Sequence, residues 1–279
     1  MVTRKQTEKT DGATKNATLK LLKYDLRWIY KILAPLYLAL VACAIFARLF
    51  GAIENSVVFE IVTQIFVGAT IALAINILIN TVARSCSRFT RNLYKDESYL
   101  THTLPVSTKA IFRAKVLAAL VTVFTTVAVV LASLFIAFYS DALLELVKST
   151  LQLVAEIYNT SVIAILLLVA LVSFVEVLLF TLIGFVCIIL GHRASNNKPL
   201  KSIIWGLVIY AGAQLLMLGA LVLYGLVNPE IMNLINTTVA ISVDALKSLL
   251  YFTSVVYLLD SIALYLLGQK LLARGVNVD

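Results

Sequence analysis

The sequence predicts an all-α, polytopic membrane protein with six transmembrane helices. Of its 279 residues, 61% are hydrophobic and only 14% are charged, against about 45–50% and about 25% in an ordinary soluble domain. The mean hydropathy is +0.96. The apolar residues are concentrated in six long runs, and a membrane span needs about 20 of them. These values exclude a soluble globular enzyme, and they exclude disorder for the bulk of the chain.

The chain begins with a polar segment and then a helical one. Residues 1–16 have no apolar period, so we expect a disordered cytoplasmic tail. Residues 17–32 carry an apolar stripe and a basic stripe at helical spacing. These are Leu19, Leu22, Leu26 and Ile29, and Lys20, Lys23, Arg27 and Lys31. The two stripes predict an N-terminal amphipathic interfacial helix that lies on the membrane surface.

The rest of the chain, residues 33–272, is predicted to form the six-helix transmembrane domain. Because no water satisfies backbone groups in lipid, helices are the expected form of each span. Apolar and polar residues do not alternate along these runs, as they would in the strands of a β-barrel. They cover approximately residues 33–53, 58–82, 114–138, 161–190, 203–227 and 249–272.

The distribution of basic residues predicts the orientation. Of the 23 Lys and Arg residues, 20 lie in the N-terminal region, in loop 83–115, in loop 191–202 or near the C-terminus. By the positive-inside rule these segments are cytoplasmic, so both termini lie inside and residues 273–279 form a cytoplasmic tail. The net charge of +8 is then a topology signal and an attraction to anionic membrane lipid. We therefore expect no nucleic-acid partner.

Two outer connections are longer than simple turns. Residues 141–158 and, more weakly, residues 230–248 have apolar residues at helical spacing. We expect both segments to form outer-side helices, either interfacial or partly re-entrant.

Loop 83–115, between spans two and three, carries the clearest functional signal. Pro105 disfavours helix at the residue before it, and Ser107 can cap the helix that runs into span three. Residues 96–104 could form a short helix with Tyr99, Leu100 and Leu104 exposed. A short helix with exposed aromatic and aliphatic residues suits docking in a groove of another protein.

The motif Asp96-Glu-Ser-Tyr-Leu-Thr-His-Thr-Leu-Pro-Val-Ser107 resembles a signature of a known family. It is similar to the corresponding loop in permease subunits of type 2 class ABC exporters of Gram-positive bacteria. The segments Leu21-Leu-Lys-Tyr-Asp-Leu-Arg27 and Ile32-Leu-Ala-Pro-Leu-Tyr37 resemble the family's amphipathic first helix, and Lys270-Leu-Leu-Ala-Arg-Gly-Val-Asn-Val278 resembles its basic tail. Ser98 departs from the pattern, which usually has Gly there.

The resemblance implies a mechanism and partners. Two permease subunits, identical or related, would pair with two cytoplasmic ABC ATPase subunits that bind ATP and Mg²⁺. The loop helix would couple the ATPase to the spans through Asp96, Glu97, Tyr99, Leu100 and Leu104. The chain has no G-x-x-x-x-G-K-[ST] sequence, so it is not itself the ATPase by that mechanism, and we expect no cofactor in it. The implied location is the bacterial plasma membrane.

Four polar residues inside the spans are candidates for a translocation path: Glu176, Asp260, Asn76 and Asn80. A carboxylate in mid-membrane costs about 2.5–3.5 kcal/mol on insertion scales and is often functional. The two acids would favour a cationic or amphiphilic substrate. The alternative is a protonated acid that hydrogen-bonds a neighbouring helix, and for the asparagines, bonds between helices.

Two glycines and two histidines have simpler interpretations. Gly212 and Gly219, seven residues apart on span five, are expected to allow close approach of another helix. His102 and His192 have no metal-ligand cluster around them and are expected to be solvated loop residues.

The sequence thus predicts the permease subunit of an ATP-driven exporter of a peptide, a hydrophobic compound or a lipid. One alternative is a proton-coupled secondary transporter that uses Glu176 and Asp260. Another is a membrane scaffold or sensor subunit that transports nothing itself.

Overall fold

The fold is described by a computed structural model. It covers residues 2–53, 56–95, 97–103, 106–138, 162–194, 196–228 and 243–274, with side chains from residue 17 onward except at 102, 162–166 and 243–247. Within these ranges the chain forms only helices and the short turns that flank them. The helices are α1 (Val2–Gly51), α2 (Val57–Tyr94), α3 (Ser98–Thr103), α4 (Thr108–Ala137), α5 (Val162–His192), α6 (Lys198–Val227) and α7 (Val243–Ala273).

Six of these helices are long and apolar enough to cross a membrane, which confirms the predicted fold class. The six are α1, α2, α4, α5, α6 and α7. The short helix α3 has only six residues and lies in the loop after α2. We call the end of the bundle that carries it the α3 end.

Helix α1 is longer than the sequence predicts. It runs unbroken from Val2 to Gly51, so it includes residues 2–16, where we expected a disordered tail, and the boundary that we expected at residues 32–33. No proline precedes Pro35, and most of the first ten residues tolerate a helix. Pro35 lies inside the helix, where it removes one backbone hydrogen bond.

Much of the predicted loop 83–115 is also helical. Helix α2 continues to Tyr94, and α4 begins at Thr108, where the Ser107 hydroxyl accepts the Ala110 N–H at 3.3 Å. The expected Ser107 cap is therefore confirmed. The difference has a physical cause, because hydropathy marks where a helix leaves lipid, whereas backbone bonding decides where it ends.

The two predicted outer-side helices lie mostly outside the described residues. Nothing of residues 141–158 is described, and of residues 230–248 only the part from Val243 onward is described, where it belongs to α7. Residues 275–279 of the predicted C-terminal tail are outside as well.

The six long helices form two units of three. Helix α1 packs against α2 and α4, and α5 packs against α6 and α7. The units meet where α2 and α4 contact α5 and where α4 contacts α7. The largest apolar core lies at this seam, where the Phe89 ring stacks on Phe185 at 4.4 Å between centroids and meets Phe112 edge-on at 6.3 Å.

Hydroxyl groups join the helices of the first unit. The Tyr37 and Thr126 hydroxyl oxygens are 2.6 Å apart, and those of Thr126 and Thr81 are 2.9 Å apart, so one buried cluster joins α1, α4 and α2. Tyr30 and Thr125 make a second bond between α1 and α4 at 2.6 Å. In lipid, where apolar surfaces have little drive to associate, such bonds contribute about 0.6 kcal/mol each.

The close helix contacts at glycines are not at the predicted positions. A Cβ atom added to Gly212 or Gly219 would meet no described atom within 4 Å, so neither residue marks a close contact in the described chain. Both lie on α6, which is the least buried of the long helices. A Cβ on Gly268 of α7, in contrast, would lie 2.6 Å from Cζ of Phe112.

We predict that Gly268→Ala destabilises the bundle, because the added methyl group overlaps the buried Phe112 ring. Overpacking of this kind costs about 1–3 kcal/mol. Thermal unfolding of the purified protein in detergent should show a midpoint several degrees lower. Gly212→Ala is the matched control, since it has open space and gains helix propensity. Equal midpoints for the two variants would contradict the predicted contact.

Candidate functional site

A buried carboxylate joins three helices at the α3 end. Asp25 of α1 accepts hydrogen bonds from Lys115 Nζ of α4 at 2.8 and 2.7 Å and from Arg88 Nε of α2 at 2.9 Å. The side chains of Asp25 and Lys115 are only 2% and 4% exposed. The three residues lie on three different helices, so this contact fixes the arrangement of the first unit at its α3 end.

A second carboxylate balances the charge of this cluster. Arg88 Nη1 donates to both carboxylate oxygens of Glu97 at 3.0 and 2.8 Å, and Arg91 Nε lies 3.3 Å from the same group. Asp25, Arg88, Lys115 and Glu97 therefore form a quartet with no net charge. Taking charged groups out of water costs several kcal/mol per ion, and good geometry with complete pairing is needed to offset it.

Trp28 adds a further constraint on the arginine. The guanidinium carbon of Arg88 lies 5.5 Å from the centre of the Trp28 ring, within the range of a cation–π contact. Trp28 comes three residues after Asp25 on α1, so one face of α1 supplies both the carboxylate and the ring. The forked guanidinium donates through Nε to Asp25 and through Nη1 to Glu97, a fixed geometry that lysine lacks.

The quartet holds helix α3 in place. Glu97 directly precedes α3, and its carbonyl oxygen accepts the N–H and the hydroxyl of Thr101 at 3.0 and 2.9 Å. Ser98 and Thr101 are buried against the bundle. Tyr99 and Leu100 point the other way and are 77% and 67% exposed.

The five predicted coupling residues differ in their surroundings. Tyr99 and Leu100 are exposed as expected, whereas Glu97 pairs with Arg88 and Arg91 and so serves the chain itself. Asp96 and Leu104 lie outside the described residues. The described part of α3 therefore offers an aromatic and an aliphatic side chain, side by side, to whatever lies beyond this end.

A second set of contacts connects the α3 end to the other helices. The rings of Tyr94 and His192 stack with centroids 4.1 Å apart, and Arg193 Nη2 donates to the carbonyl of Leu271 at 2.6 Å. The expectation that His192 is a solvated loop residue is wrong, since it is buried at the end of α5. Its ring nitrogen Nδ1 lies 2.9 Å from the Ile188 carbonyl oxygen.

The four polar residues of the spans lie away from the quartet. Asn80 donates to the side-chain oxygen and to the carbonyl of Asn76 at 2.9 and 3.0 Å, so this pair is bonded within α2. Glu176 is exposed near the middle of α5. Asp260 of α7 is half-buried, and its Oδ2 atom is buried with no hydrogen-bond partner in the described chain.

No protein-family model, curated protein or solved structure matches this chain. The fold and the geometry of the α3 end are therefore the observations that bear on its function.

The centre of this site was not predicted from the sequence. Arg88 and Lys115 were counted only as charges that indicate topology, and Asp25 was noted only within the segment that resembles the family's first helix. A signal was present for Asp25, since it lies four residues before Ile29 and eight before Leu33, on the stripe of α1 that the structure buries. An acid on an apolar helix stripe indicates a partner on another helix, although not which one.

We predict that Asp25→Asn lowers the free energy of unfolding by about 3–5 kcal/mol, the usual effect of removing one partner of a buried pair. The amide would leave the Lys115 charge without a counter-charge and Arg88 with Glu97 alone. Adding Lys115→Met to this variant should cost much less than it does in the natural chain. Denaturant titration in detergent micelles measures all three variants.

Lys109→Met is the control, because Lys109 is an exposed lysine on the same helix, and we expect a change within about 0.5 kcal/mol. Additive effects of Asp25→Asn and Lys115→Met would show that the two groups are not coupled.

Proposed function

We propose that this chain is the transmembrane permease subunit of an ATP-driven ABC exporter, located in a bacterial plasma membrane. The observation that carries the proposal is the way α3 is held. Its inner face and the preceding Glu97 are fixed to α2, and through Arg88 to Asp25 of α1, while Tyr99 and Leu100 are exposed. Six helices of membrane-spanning length are consistent with this role.

The quartet gives α3 a mechanical connection to the spans. A displacement of α3 acts on Glu97, from there on Arg88 of α2, and through Asp25 on α1 and α4. Tyr99 and Leu100 would sit in a groove of a cytoplasmic ATPase subunit, as an exposed helix face docks in an apolar groove. ATP and Mg²⁺ would be bound by that partner. A second permease subunit would complete the path.

The basic residues favour the same orientation of the α3 end. Arg84, Arg88, Arg91, Lys95, Lys109, Arg113 and Lys115 all lie between residues 83 and 115, and an excess of Lys and Arg is typical of cytoplasmic loops. The proposed ATPase contact and the basic segments would then face the same compartment, where ATP and anionic lipid are both found.

One observation favours a second candidate, a proton-coupled secondary transporter. Glu176 and Asp260 are carboxylates in the long apolar helices α5 and α7. Such groups are common in proton relays. Transport by membrane vesicles separates the candidates: an exporter stops when ATP is withheld, whereas a proton-coupled carrier stops when a protonophore collapses the gradient. A scaffold subunit would show no transport under either condition.

We predict that the protein, purified from its native membrane in a mild detergent, carries a stoichiometric polypeptide with a G-x-x-x-x-G-K-[ST] sequence. The double variant Tyr99→Ala/Leu100→Ala should lose most of this polypeptide, because it removes the exposed apolar face of α3. Quantitative mass spectrometry measures the ratio, and ATP hydrolysis in lipid discs measures the activity retained.

Leu200→Ala is the matched control, since Leu200 is an exposed leucine in the first turn of α6 and lies outside α3. It should leave the ratio unchanged. A complex that forms equally well with the α3 double variant, or a purified chain with no ATPase at all, would argue against the proposal.

A further inference from the structure

An apolar groove runs along the side of the bundle at the seam between the two units. Its volume is about 560 Å³, within the range of sites for small molecules. One wall is α2 and the other is α5. The lining residues are Leu78, Ile79, Val82 and Ala83 from α2 and Glu176, Val177 and Phe180 from α5.

Glu176 is the one ionisable residue among those that line the groove. It lies near the middle of α5, and in the described chain it makes no hydrogen bond or ion pair. Arg84 follows Ala83 directly on α2, but at about 100° per residue it falls on the opposite face of that helix, at least about 100° from every groove residue. The carboxylate therefore faces an apolar groove without a basic side chain.

A second acid, Asp260, lies on α7, which packs against α5. It is half-buried, and its Oδ2 atom has no hydrogen-bond partner in the described chain. Phe180 lines the groove and stacks on Tyr210 of α6 with centroids 5.7 Å apart. Ring faces attract cations. The charge and the rings thus favour the same kind of guest, a positive one.

We propose that this groove binds a lipophilic organic cation that enters from the membrane. The positive centre would lie against Glu176, and the apolar body would lie along Val82 and Phe180. A small metal ion does not fit these walls, because Ca²⁺ or Mg²⁺ needs six or more oxygen ligands. A neutral helix of a second copy would leave the carboxylate unpaired. The inference rests on the proposed function, since it names the class of substrate.

The test uses two ions of nearly equal size and opposite charge, tetraphenylphosphonium and tetraphenylborate. The purified chain is placed in nanodiscs of phosphatidylcholine, with no ATPase present, and binding is measured by equilibrium dialysis. We expect saturable binding of tetraphenylphosphonium above that of empty discs, and no such excess for tetraphenylborate. Glu176→Gln should weaken the binding at least tenfold.

Two further variants complete the design. Ala83→Trp should also weaken the binding at least tenfold, because it fills the groove from the α2 wall and leaves every charge in place. It keeps the test decisive if Glu176→Gln fails to fold, which circular dichroism would detect. Glu60→Gln is the matched control, since Glu60 is an exposed acid on α2 about 28 Å along the helix from Ile79.

Three results would overturn the inference. The first is equal affinity of the natural chain and a folded groove variant for tetraphenylphosphonium. The second is equal binding of the two ions. The third is closure of the groove to tetraphenylphosphonium in discs that hold two copies of the chain. The ATPase plays no part in this measurement. A chain that binds the cation but carries no ATPase would contradict only the proposed function, and a chain with ATPase but no cation binding would contradict only this inference.

Discussion

The arrangement of the α3 end depends on one carboxylate that is withdrawn from water. Asp25 accepts hydrogen bonds from Lys115 and from Nε of Arg88, and Arg88 donates through Nη1 to Glu97. Burying any one of these ions without a partner costs several kcal/mol, and the four groups together carry no net charge. The geometry of α1, α2, α4 and the start of α3 is therefore set by the requirement that no member of this quartet is left unpaired.

Different interactions stabilise the two units of the bundle. Hydroxyl bonds and ion pairs join α1, α2 and α4, whereas rings and aliphatic side chains dominate around α5 and α7. Polar bonds have defined directions, so the first unit has a specific register, whereas apolar contacts allow small shifts. The groove that contains Glu176 lies at the seam between these units, where a relative shift would change its width.

The sequence predicted what depends on local composition. Six spans, the Ser107 cap and the exposure of Tyr99 and Leu100 follow from hydropathy, from capping preference and from helical spacing. It did not predict the pairing of Asp25 with Lys115, because ninety positions separate them and no local pattern records which charges meet. The end of α2 at Tyr94 was missed for a related reason, since a helix that leaves lipid loses its apolar signal but keeps its backbone bonds.

The separation of the quartet along the chain has a consequence for biosynthesis. Asp25 is made 63 residues before Arg88 and 90 before Lys115. At about 5–20 residues per second, Asp25 exists for on the order of ten seconds before Lys115 is made. During that interval water, lipid headgroups or the insertion machinery must solvate the acid. Helix α1 can therefore reach its final position only after α4 has left the ribosome, and the first unit assembles late rather than helix by helix.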